Sequence, residues 1–231
     1  MKKVFLPLLL VCLLPLTWSC GSSRLAGYSL NERDAAAAIR QLLELGAKDN
    51  GITGAFSKDQ ILSTLFPEPV KRALNTLNTL GLTNEVDRFT TTLSSAAEQT
   101  ATASIPVFIN SINNMKFNDA MRIIRNSGTA ATDYLRVETG DSVRRAVKPI
   151  MLNALEQYKL NDQWNSITKP VQAIVGNKLN VDLSQLMAGL VTEAMFRKIA
   201  EKETLVRNDA NARSTALLQK VFSRNWNTAT P

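Results

Sequence analysis

The chain contains no histidine. That absence removes Ser-His-Asp and Cys-His catalysis, imidazole metal ligation and the usual side-chain switch near neutral pH. Cysteine is almost missing as well. Cys12 and Cys20 both sit near the N-terminus, so the rest of the chain has no thiol for a disulfide, a cysteine zinc site or an iron–sulfur cluster. No Gly-rich phosphate loop, HExxH, CxxC or EF-hand spacing occurs, which leaves the common motif-borne chemistries without a carrier. No run of five like charges and no low-complexity linker is present, and no convincing strand pattern appears.

What remains has ordinary globular composition. The 231 residues are 45% hydrophobic and 20% charged, enough for one domain with a sizeable core. The formal charge is +7, but Lys2 and Lys3 belong to a leader. Without them, 25 basic side chains stand against 20 acidic ones, a net +5. The basic residues are scattered, and the densest cluster is Arg144, Arg145 and Lys148. Such spacing reads as solvated helix faces, and no nucleic-acid partner is expected.

The leader has three parts. Lys2 and Lys3 are a short positive segment, and Val4 to Leu16 is an apolar run too short for a membrane-spanning helix of roughly 20 residues. It has the length of a signal-peptide core. Ser19-Cys20-Gly21 follows, a small residue then cysteine, which resembles a lipoprotein cleavage box. In such boxes the cysteine thiol receives diacylglycerol and becomes the first mature residue. Thr17 and Trp18 depart from the usual aliphatic and small residues, and Leu16 sits one place early. Residues 1–19 are thus read as a signal peptide and Cys20 as the lipidation site. Residues 20–30 are read as a flexible tether begun by Gly21-Ser22-Ser23. Gly21 in place of aspartate resembles the pattern sorted to the outer membrane, with the domain facing the periplasm.

Beyond residue 30 the apolar spacing is helical nearly everywhere, so the expected fold is all-α. It is a single compact domain of about eight to ten helices over residues 31–226, with a disordered tail at 227–231. Asn31 is expected to cap a helix to about residue 49, with Ala35, Ala38, Ile39, Leu42 and Leu43 on one face. Phe66-Pro67-Glu68-Pro69 reads as a turn into a helix bearing Val70, Leu74, Leu77 and Leu80, closed by Gly81. The longest helical stretch runs from Thr83 or Asn84 to Asn114, with a kink or break expected at Pro106. Shorter helices are expected at about 118–126, stopped by Gly128, and at 130–138. Asp141 is expected to cap the next, and Asp182 the one after it. A last helix carries Leu217, Leu218, Val221 and Phe222.

Three stretches resemble an uncharacterised bacterial exported or lipoprotein family, domain of unknown function 4197. The first is Phe66-Pro67-Glu68-Pro69-Val70. The second runs from Phe108 through Met115, Asp119-Ala120 and Ala130-Ala131-Thr132-Asp133-Tyr134-Leu135 to Lys148-Pro149-Ile150. The third joins Val181-Asp182-Leu183, Phe196, Ile199-Ala200-Glu201, Arg207, Ala212-Arg213-Ser214, Leu217-Leu218 and Val221-Phe222. Together they cover Leu30 to Trp226. Ala210 and Leu135 depart from the family's proline and aromatic. The resemblance implies an all-helical exported protein and no activity.

Among polar residues, Asp119, Thr132, Tyr134 and Arg213 stand beside apolar ones within those stretches. They are read either as a pocket, with Arg213 meeting an anion and Tyr134 donating a hydrogen bond, or as a structural cluster. Asp119 is the first expected partner of Arg213 and Glu138 the second. Glu201 and Glu203, two apart on a helix, point in different directions and make a poor joint site. Trp164 is expected in the core and Trp226 near a frayed end.

The expected function is a membrane-anchored envelope lipoprotein, not catalytic, with no cofactor and no metal. Its partners are the membrane through Cys20 and an unidentified protein or apolar ligand between helices. Two alternatives stay open. One is a basic helical protein on a membrane surface or nucleic acid. The other is a hydrolase working with carboxylates alone.

Overall fold

A computed structural model describes residues 28–49, 55–61, 68–175 and 182–226. The leader, Cys20, most of the tether, Phe66-Pro67 and residues 227–231 lie outside the described residues. Among those described there are nine helices and no strand: α1 (Glu32–Ala47), α2 (Lys58–Gln60), α3 (Glu68–Thr79), α4 (Thr83–Asn114), α5 (Ala120–Arg125), α6 (Ala130–Gln157), α7 (Leu160–Val175), α8 (Leu183–Asn208) and α9 (Ala216–Phe222). No helix among the described residues is long and apolar enough to cross a membrane.

Local chemistry explains where the helices start. Asn31 accepts the Asp34 N–H at 2.8 Å and opens α1. Asp182 accepts the Gln185 N–H at 2.9 Å and opens α8. Thr215 caps α9 through the Leu218 N–H. Each side chain satisfies an amide that the first helical turn leaves without a partner. The Asp182 carboxylate also accepts from Ser184 and pairs with Lys148. The Ser184 and Gln185 hydrogen bonds, with Lys148 behind them, hold its pKa down at about 2.

Packing follows the apolar stripes. α8 lies against α6 and α1, and α6 lies against α4. Their shared core includes Ile39, Leu42, Leu93, Phe108, Leu135, Met151, Met187, Phe196 and Ile199, all buried. Phe108 meets Phe196 edge to face at 5.2 Å, and Phe89 meets the buried Trp164 at 5.4 Å. Four of the buried hydroxyls are satisfied within their own helix. Thr90, Thr100, Ser104 and Thr168 each donate to the carbonyl four residues back, so they add no unpaired polar group to the core.

The structure corrects four expectations. Residues 130–138 and the segment after Asp141 form one helix, α6, that runs straight through Gly140. Asp141 caps nothing there and pairs with Arg144 on the surface. The break allowed for at Pro106 does not occur, and α4 continues through it as one helix. Pro106 and Thr102 both face solvent, so water can satisfy the carbonyl that the proline leaves unbonded. Leu80 is 53% exposed and off the apolar face of α3, because α3 ends at Thr79 and Gly81 turns the chain with φ of +84°. Trp226 is packed, not frayed. Its ring meets Tyr28 at 5.8 Å and its indole N–H donates to the Val221 carbonyl at 2.7 Å.

Two glycines separate a tight helix crossing from an ordinary one. A Cβ on Gly46 would stand 2.9 Å from the Ile199 Cα, inside the α1–α8 contact. A Cβ on Gly140 would meet only Arg136 Cγ and Phe196 at 3.9 and 4.0 Å, normal contact distances. Gly46→Ala should therefore destabilise by about 1–3 kcal/mol, because backbone must move. Gly140→Ala should stabilise by about 0.5–1 kcal/mol by removing mid-helix glycine freedom. Chemical denaturation of both variants checks this, and the same sign for both would contradict the packing described.

Candidate functional site

The four residues singled out from sequence do not gather into one pocket. Asp119 caps α5, accepting the Arg122 N–H at 2.9 Å and pairing with the Arg122 side chain. Thr132 is buried and donates its hydroxyl to Glu203 at 2.7 Å. Tyr134 donates its hydroxyl to the Lys116 carbonyl at 2.8 Å and stacks on Phe117 at 5.7 Å. Arg213 lies ahead of α9, after a 3-10 turn at Ala210–Ala212. It donates Nε to the Val206 carbonyl and Nη2 to the Arg207 carbonyl, at 2.9 and 3.0 Å. Its partners are thus the last carbonyls of α8, where a cation is favoured. Neither Asp119 nor Glu138 contributes.

A different polar centre lies nearby. Glu203 on α8 is fully buried. Its Oε1 accepts the Ala131 N–H at 3.0 Å, and its Oε2 accepts the Thr132 N–H at 2.8 Å together with the Thr132 hydroxyl. These are first-turn amides of α6. Thr129, the residue before that helix, makes no cap bond of its own. Glu203 therefore caps a helix it does not belong to. Arg207, one turn on, donates Nε to Glu203 Oε1 at 2.9 Å and brings Nη2 to 2.8 Å from the same oxygen. The rest of its guanidinium closes the far end of α5, donating to the carbonyls of Ile123, Ile124 and Asn126 at 2.9–3.1 Å. Phe222 of α9 lies beneath it at 5.3 Å.

The other end of α5 is held the same way. Glu32 of α1 accepts the Ala120 and Met121 N–H groups at 2.9 and 3.4 Å. The six-residue α5 would be marginal alone. It is held by an anion at its N-terminus and a cation at its C-terminus, the signs its dipole favours.

These anchors fix the segment that ends a groove. Arg40 of α1 donates to the Met115 carbonyl at 2.9 Å and lies over the Phe117 ring at 4.9 Å. From there a cleft of about 710 Å³ runs between α4 and α6. Val107, Asn110, Ser111 and Asn114 line one wall, and Tyr134, Glu138, Ser142 and Ala146 the other. Lys116 and Asn118 stand at the anchored end. The walls are mostly carboxamide and hydroxyl, with one cation and one carboxylate.

A family model described as Protein of unknown function (DUF4197) matches residues 29–223. The chain belongs to that family. No curated protein and no solved structure matches it. The DUF4197 match spans every element described here except Tyr28 and the short stretch through Trp226 that packs on it.

Sequence reading missed Glu203 and Arg207 as a buried pair, and it weighed Glu203 only as a poor partner for Glu201. One signal was available. Phe196, Ile199, Glu203 and Val206 follow a 3-4-3 spacing along the buried stripe of α8, so Glu203 fills an apolar position, and Arg207 follows four residues later.

Leaving one partner of a buried, hydrogen-bonded ion pair costs about 3–5 kcal/mol. Exposed pairs contribute about 0–1 kcal/mol. Glu203→Ala and Arg207→Ala should each destabilise by about 3–5 kcal/mol, and the double variant by less than their sum. Lys198→Ala, which breaks an exposed pair with Glu201, should change stability by less than about 0.5 kcal/mol. Urea denaturation reads all four, and additive losses would remove the case for one coupled centre.

Proposed function

We propose that this DUF4197 chain is an envelope lipoprotein, anchored to the outer membrane at Cys20, whose helical domain binds a ligand in the α4–α6 groove without catalysing a reaction. The observation that carries the binding reading is the groove's uncommitted polar lining. The Ser111 hydroxyl, the Asn118 carboxamide, the Lys116 ammonium and the Glu138 carboxylate have no hydrogen-bond or ion-pair partner elsewhere in the described chain. A polar wall with open donors and acceptors is the chemistry of a site that fixes a ligand's orientation.

The chemistry of the lining favours binding over turnover. Hydrolysis by carboxylates needs two of them about 5–10 Å apart, and Glu138 is the single carboxylate among the described residues that line this groove. Ser142 and Thr139 donate to carbonyls of their own helix, and no imidazole exists in the chain to activate a hydroxyl. A nucleic-acid face has weaker support. In the densest basic cluster Arg144 pairs with Asp141 and Lys148 with Asp182.

The anchor reading rests on the sequence: a positive segment, an apolar run and Ser19-Cys20-Gly21. Acyl chains on Cys20 would hold the domain at the surface without a spanning helix. Native extraction of the membrane fraction followed by mass spectrometry tests both parts. The expected result is an acylated Cys20 at the mature N-terminus. A retained ligand mass is also expected, falling at least tenfold in a Ser142→Trp variant that fills the groove. An unmodified N-terminus elsewhere would overturn the anchor, and equal retention by Ser142→Trp would overturn the groove.

A further inference from the structure

The binding reading leaves the ligand's chemistry open, and the groove's dimensions narrow it. The wall on α6 runs from Tyr134 to Ala146, twelve residues or about 18 Å at about 1.5 Å each. α4 and α6 lie antiparallel, with Gln99 bonded to Gln157 at one end and the Lys116 carbonyl to Tyr134 at the other. The cleft is therefore an elongated, open trough between antiparallel helices, suited to an extended chain.

The polar groups along it are spaced and polarised. Asn114 Nδ2 donates to the Asn110 carbonyl at 2.9 Å and to Asn110 Oδ1 at 3.0 Å. That arrangement leaves Asn110 Nδ2 as a free donor and Asn114 Oδ1 as a free acceptor, one helical turn apart. An extended peptide turns the N–H and the C=O of alternate residues to the same side. A peptide backbone laid along α4 would meet the Asn110 donor with a carbonyl and the Asn114 acceptor with an N–H. Lys116 and Glu138 add one charge of each sign, so the trough does not select a polyanion or a polycation. Among the described residues the lining holds one aromatic, Tyr134, whose hydroxyl is already bonded and whose ring already stacks on Phe117. A sugar ring would find no unengaged aromatic side chain to stack on.

We propose that the α4–α6 groove takes an extended peptide segment of about five residues, held through its backbone by the Asn110 and Asn114 carboxamides. This rests on the binding reading above. Alternate side chains of such a segment would meet the apolar lining residues Val107, Met115 and Ala146, giving specificity while the amides give register.

The test uses the full chain in detergent and two defined probes. One is a pool of hexapeptides blocked by N-acetylation and C-amidation. The other is a set of neutral oligosaccharides of two to six rings. Equilibrium dialysis read by mass spectrometry measures retention by wild type, by the Asn110→Ala/Asn114→Ala double variant and by Ser142→Trp, with circular dichroism confirming that each stays folded. Asn110, Asn114 and Ser142 are all exposed, so folding should survive. The expected result is peptide retention by wild type that falls at least tenfold in both variants, with no oligosaccharide retained. Oligosaccharide retention without peptide would overturn the peptide assignment and leave the groove as a binding site. Peptide retention unchanged in both variants would overturn the site. Retention of neither probe would overturn the peptide assignment, and if native extraction also yields no ligand the binding reading falls with it.

Discussion

A carboxylate taken out of water costs several kcal/mol unless donors replace the water it loses. Glu203 has five such contacts: two amides, one hydroxyl and two guanidinium nitrogens. Because those donors come from α6 and α8, and because Arg207 then reaches the carbonyls of α5, one ion pair fixes three helices in a single register. Apolar burial supplies most of the driving force for collapse, but it is non-directional. The Glu203–Arg207 centre is directional, and its hydrogen bonds tie the start of α6 and the end of α5 to α8.

The same device recurs around α5. Glu32 takes its first amides and Arg207 its last carbonyls. A helix of six residues becomes a rigid connector between α1, α8 and the end of α4. That rigidity matters for the groove. Its closed end is the segment Met115 to Asn118, whose carbonyls are held by Arg40 and Tyr134. The polar residues read from the sequence as a possible pocket therefore act mainly as fasteners. The open chemistry lies one turn away, on Asn110, Asn114, Lys116 and Glu138.

Much of the fold was legible because helix periodicity and caps are local. Asn31 and Asp182 mark their helices correctly, and the stripes of α1 and α8 give their buried faces. What failed was also local. The capping type of Asp141 suggested a boundary inside α6, yet packing against α4 and α8 carries the helix through it, as tertiary contact overrides weak propensity. Glu203 was unreadable by composition, since a lone glutamate is usually on the surface. Its partners lie about seventy residues away in sequence. Only its place in an apolar stripe betrayed it. The groove was invisible for the same reason, because its two walls come from separate helices that no sequence spacing connects.

The central claim is that Glu203 caps α6 from another helix, and amide hydrogen exchange tests it directly. First-turn amides normally lack an acceptor and exchange quickly. Asn84 and Glu85 begin α4 without a side-chain cap and provide the internal reference. Ala131 and Thr132 should exchange only through global unfolding, at least about a thousandfold more slowly than that pair after correction for intrinsic rates. Exchange of Ala131 and Thr132 as fast as that of Asn84 and Glu85 would contradict the account.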